Sequence, residues 1–217
     1  MINFTELILV VVLLSVLFSL GSTRVISLVK LMALQGIMVS LTPLFMKHQG
    51  GLGNSAILFY LAMILIKGVL IPGLLYLAAK RVAIKREIEP IIGYHASILT
   101  GLAIILASVF LANRLQVASI AGHEVALVTA ITTMGAGFFL MMARVKAITQ
   151  IIGYLMLENG IYLVGTALTE HHHTVYVVEF GVLLDLLVAV MIMGIILHNI
   201  NRAFDDVDTT LLGRLKD

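Results

Sequence analysis

A glutamate, Glu158, lies in the middle of the apolar run Gln150-Ile-Ile-Gly-Tyr-Leu-Met-Leu-Glu158-Asn-Gly-Ile-Tyr162, and its nearest charged neighbours in sequence are Lys146 and Glu170. Lys67 and Asp185 hold comparable places in two other apolar stretches. An ionisable side chain at the centre of a bilayer costs roughly 2.5–3.5 kcal/mol on insertion scales. Three such groups at one level need a reason to be there. Two carboxylates and an ammonium in that setting have proton or ion transfer open to them. A nearby opposite charge keeps a carboxylate ionised and burial drives it neutral, so moving between those surroundings takes up and releases a proton.

The residues around each group sharpen this reading. From Gln150 every fourth residue is polar: Gln150, Tyr154, Glu158, Tyr162, Thr166 and Glu170. An i+4 step drifts about 40° around a helix, so Tyr154, Glu158 and Tyr162 share a face of about 80°. The structural alternative is a packing face with one glutamate bonded to a neighbouring helix. Lys67 precedes Pro72-Gly73. Proline has no N–H for the carbonyl four residues back, so the Gly68 carbonyl loses its helical donor and a bend or unwinding is expected between Lys67 and Pro72. Asp185 is followed only by apolar residues until Gly194 and is too short to reach a membrane surface. Glu179 lies six residues before Asp185, on a different face and nearer the outside; an interfacial place is its alternative. Lys30 lies six residues past Arg24, close enough to snorkel to the surface.

Other chemistries find no residues. With no cysteine there are no disulfides, thiolate metal sites or iron–sulfur ligands. His171-His172-His173 reads as a solvated turn, and His48, His95, His123 and His198 all lie near segment ends, away from where haem ligands are needed. No phosphate loop, nucleophile constellation or dinucleotide fingerprint is visible. We therefore assign no catalytic residue, no metal site and no nucleic-acid partner.

These groups need apolar elements to hold them, and the composition supplies them. The 217 residues are 60% hydrophobic and 12% charged, with a mean hydropathy of +1.09. This is the composition of an integral membrane protein. Apolar runs of about twenty residues predict membrane-spanning helices. Seven are expected, at about residues 3–21, 25–46, 54–79, 91–112, 123–143, 147–169 and 175–198. Pro90 suits the start of the fourth. The N-terminus has no basic region of the signal-peptide kind, so no cleaved leader is expected. One side of the array collects Arg24, Lys80, Arg81, Lys85, Arg86, Arg144, Lys146, Arg202, Arg214 and Lys216, and the other only Lys47 and Arg114. That bias puts the N-terminus outside and the C-terminal tail in the cytoplasm.

Spans one to three also echo spans five to seven. Arg24-Val25 matches Arg144-Val145, Gln35-Gly-Ile37 matches Asn159-Gly-Ile161, and Lys67 takes the place of Asp185. The fold class expected is all-α: seven transmembrane helices in two parallel three-helix repeats joined by one helix. Residues 1–90 form the first repeat with its basic cytoplasmic loop, 91–120 the connecting helix, and 121–217 the second repeat with its cytoplasmic tail. Chance likeness among apolar sequences is the alternative.

The segments Gln150-Ile-Ile-Gly-Tyr-Leu-Met-Leu-Glu-Asn-Gly160 and Ile66-Lys67-Gly-Val-Leu-Ile-Pro72, with Leu75-Tyr-Leu-Ala-Ala-Lys80, the stretch from Glu179 to Asp185 and the tail around Asp206-Val-Asp208, resemble hydrogenase-4 component E proteins over nearly the whole chain. The resemblance implies a non-catalytic membrane-arm subunit of a group 4 energy-converting [NiFe]-hydrogenase, such as a formate hydrogenlyase, in a prokaryotic inner membrane. Antiporter-like subunits, a quinone-subunit-like membrane protein and a soluble hydrogenase module would be its partners, and the [NiFe] centre and iron–sulfur clusters would sit in those partners. The last three spans are similar to the K subunit of respiratory complex I, which carries a glutamate in its middle span and another in its last. Asp185 falls at the latter place, one methylene shorter, and Glu158 about one turn from the former. The expected pathway residues are Glu158, Asp185, Lys67, Glu179, Tyr154, Tyr162 and Lys30. A purely structural subunit, or a subunit of a multisubunit cation/proton antiporter, are the alternatives.

Overall fold

The computed structural model describes residues 4–46, 54–81, 91–115, 123–168, 181, 188–189 and 191–194. Helix α1 runs Phe4–Gly21, α2 Val25–Met46, α3 Asn54–Leu65 and α4 Ile71–Arg81, the last two joined by a π-helical turn at Ile66–Leu70. Then come α5 (Tyr94–Leu115), α6 (His123–Ala143) and α7 (Ala147–Leu168). Six helices, counting α3 to α4 as one, are long and apolar enough to cross a membrane. The architecture is all-helical and compatible with a membrane location. Most buried hydroxyls are satisfied within their own helices: Ser19 donates to the Ser15 carbonyl at 2.7 Å and Thr133 to the Thr129 carbonyl at 2.6 Å. Such back-bonding lets a serine or threonine face an apolar neighbour without a partner there.

The first six predicted spans fall on these helices, the fourth with a shift. The fourth begins at Tyr94, three residues later than expected. Ile91 does not enter the helix because its N–H donates to the Ala143 carbonyl at the end of α6, at 3.0 Å. Most of the predicted seventh span, with Asp185 and Glu179, lies outside the described residues. Within it, Val188 and Ile192, one helical turn apart, are fully buried against the others.

Helices α1, α2, α6 and α7 make the centre: α1 packs on α2 and α6, and α7 on α6 and α2. Helix α5 lies on α1 and α6 through the small residues Ser97, Gly101, Ser108 and Ala112. The segment from α3 to α4 lies on α2, and α4 also reaches α7. The α6–α7 seam is the tightest. A Cβ on Gly137 would stand 2.5 Å from the Leu157 nitrogen and 2.7 Å from the Gly153 oxygen, and one on Gly160 would stand 2.7 Å from the Met134 nitrogen. Small residues let the two backbones touch, as they do in membrane helix pairs.

The apolar core is split in two. One cluster holds Val16, Leu20, Met32, Ile71, Leu140 and Met156 among others; the second holds Leu9, Val12, Val39, Met63, Ala130 and Tyr162. Between them, in sequence position, every central helix places a buried polar residue: Ser15 on α1, Gln35 on α2, Lys67 on the π turn, Thr132 and Thr133 on α6, Glu158 and Asn159 on α7. A polar layer thus interrupts the bundle midway along its helices.

Candidate functional site

The site begins with a backbone irregularity. Pro72 offers no N–H to the preceding turn, and the helix widens there: the Ile71 N–H donates to the Ile66 carbonyl, five residues back. This is the unwinding that the Lys67–Pro72 spacing predicts. The π turn is held against α2 by two glycines. A Cβ on Gly36 would lie 2.8 Å from the Lys67 carbonyl oxygen, and one on Gly68 would lie 2.5 Å from Ile37 Cγ1. With both positions bare, the two backbones interlock and the Lys67 side chain is directed into the bundle, where it is 6% exposed.

There it meets α7. Lys67 Nζ donates to Glu158 Oε1 in a buried ion pair. Asn159 Oδ1 stands 3.4 Å from the same ammonium, and the Tyr162 ring centre lies 5.5 Å away, within reach of a cation–π interaction. Glu158 and Asn159 are each 2% exposed. Burying two charges is offset only by good geometry and further hydrogen bonds, and these are incomplete. Six buried side-chain atoms lack a hydrogen-bond partner among the described residues. Five of them belong to the polar layer: both amide atoms of Gln35, Thr132 Oγ1, Glu158 Oε2 and Asn159 Nδ2. Orphaned polar atoms this dense are where ordered water is found in protein interiors. A cavity of about 10 Å³, the room of one water molecule, adjoins the pair and is lined by Met32, Gly36, Lys67, Ile71, Pro72, Leu155 and Asn159.

The other expected residues divide. Tyr162 is buried beside the pair, Tyr154 is half-buried and packs against the neighbouring apolar cluster, and Lys30 is exposed on α2. Asp185 and Glu179 lie outside the described residues. Reading the sequence for charge passed over Gln35, Thr132 and Asn159 as site residues. The signal that finds them is one polar residue on each span at the same depth, whatever its charge.

Arg144 is a second surprise. Its charge places it on the basic side of the array, yet it is 1% exposed. It donates from Nη2 to the Leu20 carbonyl at 2.9 Å and from Nη1 to the Ile92 carbonyl at 3.5 Å, and stacks 5.1 Å from the Tyr94 ring centre. Leu20 lies in the last turn of α1, so the guanidinium sits at the negative end of that helix. Burial draws the Arg144 pKa below its ordinary value, and Tyr94 partly offsets the shift. It remains charged, since arginine is not deprotonated in proteins.

The chain has a relative in Mycobacterium tuberculosis. It is similar to the uncharacterized protein Rv0085, at 28% identity over 193 residues that span 88% of this chain and 86% of that one. No family model and no solved structure matches it. The likeness extends over most of the chain and carries no activity with it.

Proposed function

We propose that this protein is a membrane-arm subunit of a group 4 energy-converting hydrogenase-type complex, and that its Lys67–Glu158 pair takes part in proton or sodium movement coupled to redox chemistry in other subunits. The observation that carries the reading is the pair itself: a buried carboxylate on α7 and an ammonium on a π turn, in a layer whose remaining polar atoms are mostly unpartnered among the described residues. A pair retained only for stability is a poor choice, because apolar residues of similar volume often serve as well or better. Intramembrane ionisable residues on interrupted helices mark ion routes, and π turns concentrate at functional sites.

The same reading takes in the seven-span topology, with the N-terminus outside and the tail in the cytoplasm, and the parallel repeat. Support for the repeat comes from the packing of α1 on α6 and α2 on α7. A pseudo-twofold axis along the membrane normal pairs equivalent helices in this way. Gln35 and Asn159, which the repeat equates, both lie in the polar layer. Glu158 is the proton carrier in this scheme, Lys67 the partner that holds it charged, and Asp185 a second carboxylate on the route. The [NiFe] and iron–sulfur centres belong to the soluble module, and the antiporter-like and quinone-subunit-like proteins are the membrane neighbours.

The test is Glu158→Gln in the intact complex. The amide keeps volume and a hydrogen bond and removes the titration. Inverted membrane vesicles should retain normal nickel and iron content and assembly, but lose coupled acidification or sodium uptake. Ion movement at the wild-type level would refute the reading and leave a structural subunit.

A further inference from the structure

Resting on that relay reading, we propose that Lys67 makes this site selective for protons over sodium, its ammonium standing where a transported metal cation would have to bind. The two oxygens best placed to receive a cation, Glu158 Oε1 and Asn159 Oδ1, already face Lys67 Nζ. Sodium sites in transporters are built from carbonyls of interrupted helices. Here the interrupted segment brings its own ammonium instead, and the Lys67 carbonyl is turned to the bare Cα of Gly36.

The adjoining cavity argues the same way. Besides Lys67 and Asn159 its walls are Met32, Gly36, Ile71, Pro72 and Leu155, and it has room for about one water molecule. Among the described residues, a sodium ion there would exchange its hydration shell for one amide, aliphatic carbon and a like charge. Glu158 Oε2 is the oxygen left over, on the carboxylate that Lys67 already neutralises. Among the described residues no group of three or more His, Cys, Asp or Glu gathers anywhere. A second unit charge about 4 Å from the ammonium, at an effective dielectric constant of about 20, would bind roughly a thousandfold more weakly than without it. A proton faces the same repulsion while Lys67 stays in place, but it bonds to a single carboxylate oxygen and needs no shell of further oxygen ligands. It enters on the carboxylate as Lys67 withdraws and leaves as Lys67 returns, so the net charge of the pair is all that changes. Lys67 is thus a selectivity residue as well as a counter-ion.

The experiment uses the full-length chain in nanodiscs of phosphatidylethanolamine and phosphatidylglycerol, with sodium chloride exchanged for choline chloride at constant ionic strength. An ion that binds only the folded protein raises the unfolding midpoint, and the rise grows with the logarithm of its concentration above Kd. The wild-type midpoint should ignore the exchange. Lys67→Gln replaces the ammonium by a neutral amide and should acquire a sodium-specific rise. A sodium-specific rise in the wild type that Glu158→Gln removes would overturn the proposal, as would identical sodium responses in the wild type and Lys67→Gln. Should Lys67→Gln fail to fold, modification of wild-type Glu158 by a fluorescent carbodiimide decides: its rate should be indifferent to sodium, and protection by sodium would overturn the proposal. Sodium binding at Glu158 would leave the relay reading intact and change only its ion. Undiminished ion movement in Glu158→Gln complexes would instead remove the relay.

Discussion

A double-mutant cycle on Lys67 and Glu158 separates what the pair does for stability from what it does for ion movement. Lys67→Met leaves the Glu158 carboxylate 2% exposed, with Oε1 joining Oε2 as an unpartnered atom. Removing one partner of a buried pair costs about 3–5 kcal/mol. Glu158→Gln leaves the ammonium with Asn159 Oδ1 at 3.4 Å and the Tyr162 ring centre at 5.5 Å, and the new amide oxygen still accepts. Its cost should lie at the lower end, about 3 kcal/mol. The double variant removes both charges of the pair and keeps similar volumes, which leaves the cost of burying the new amide, about 1–3 kcal/mol. The singles should therefore sum to at least about 3 kcal/mol more than the double, the upper range of measured couplings. Unfolding in mixed micelles titrated with sodium dodecyl sulfate, followed by circular dichroism, measures all four proteins. Ion movement is then measured on the assembled complexes. The double variant should be stable and inactive in translocation. Additivity within about 0.5 kcal/mol would refute the coupling. Recovery of ion movement together with stability in the double variant would refute the relay and favour a structural role.

Two further outcomes probe the frame around the site. In Gly137→Ala the added methyl group meets the Leu157 nitrogen at 2.5 Å and the Gly153 oxygen at 2.7 Å, backbone that no rotamer change can move; α6 and α7 must part, and a loss at or above the usual 1–3 kcal/mol of overpacking, about, is expected in the same unfolding titration. An unchanged titration would show that the seam is loose. Arg144→Lys keeps the charge but gives up the fork that spans the Leu20 and Ile92 carbonyls, and should cost about 1.5–3 kcal/mol, the value of one hydrogen bond from a charged donor; equal stability of the two proteins would make that clamp incidental.

Much of the frame is legible because its causes are local. Twenty-residue apolar runs, Gly21-Ser22-Thr23 after α1 and the basic Arg144-Val145-Lys146 turn mark six helices close to where they occur. Pro72 gives away the irregular turn, since a missing N–H is a property of one residue. Glu158 and Lys67 stand out by their cost in apolar surroundings. Their partnership does not, because it joins residues 91 apart in the chain and depends on Gly36 letting the π turn lie against α2. Arg144 shows the converse. Charge counting treats it as a surface cation, whereas carbonyls at two segment ends converge to receive it, an arrangement that exists only after α1, α5 and α6 have packed. Gln35 and Thr132 carry no charge, so a search for ionisable groups overlooks them even though they lie in the same layer.

The glycine seam has a mechanical consequence. With Gly137, Gly153 and Gly160 bringing two main chains into contact, α7 cannot roll about its axis without driving its backbone through that of α6. Glu158 therefore sits on a helix held fast against its neighbour. The π turn is the opposite kind of part: it holds one residue more than a regular turn, and Pro72 gives it no N–H with which to tighten. In the relay proposed above, Lys67 is the member of the pair whose mount is irregular, and the place to look for distinct states is the pitch of residues 66–72.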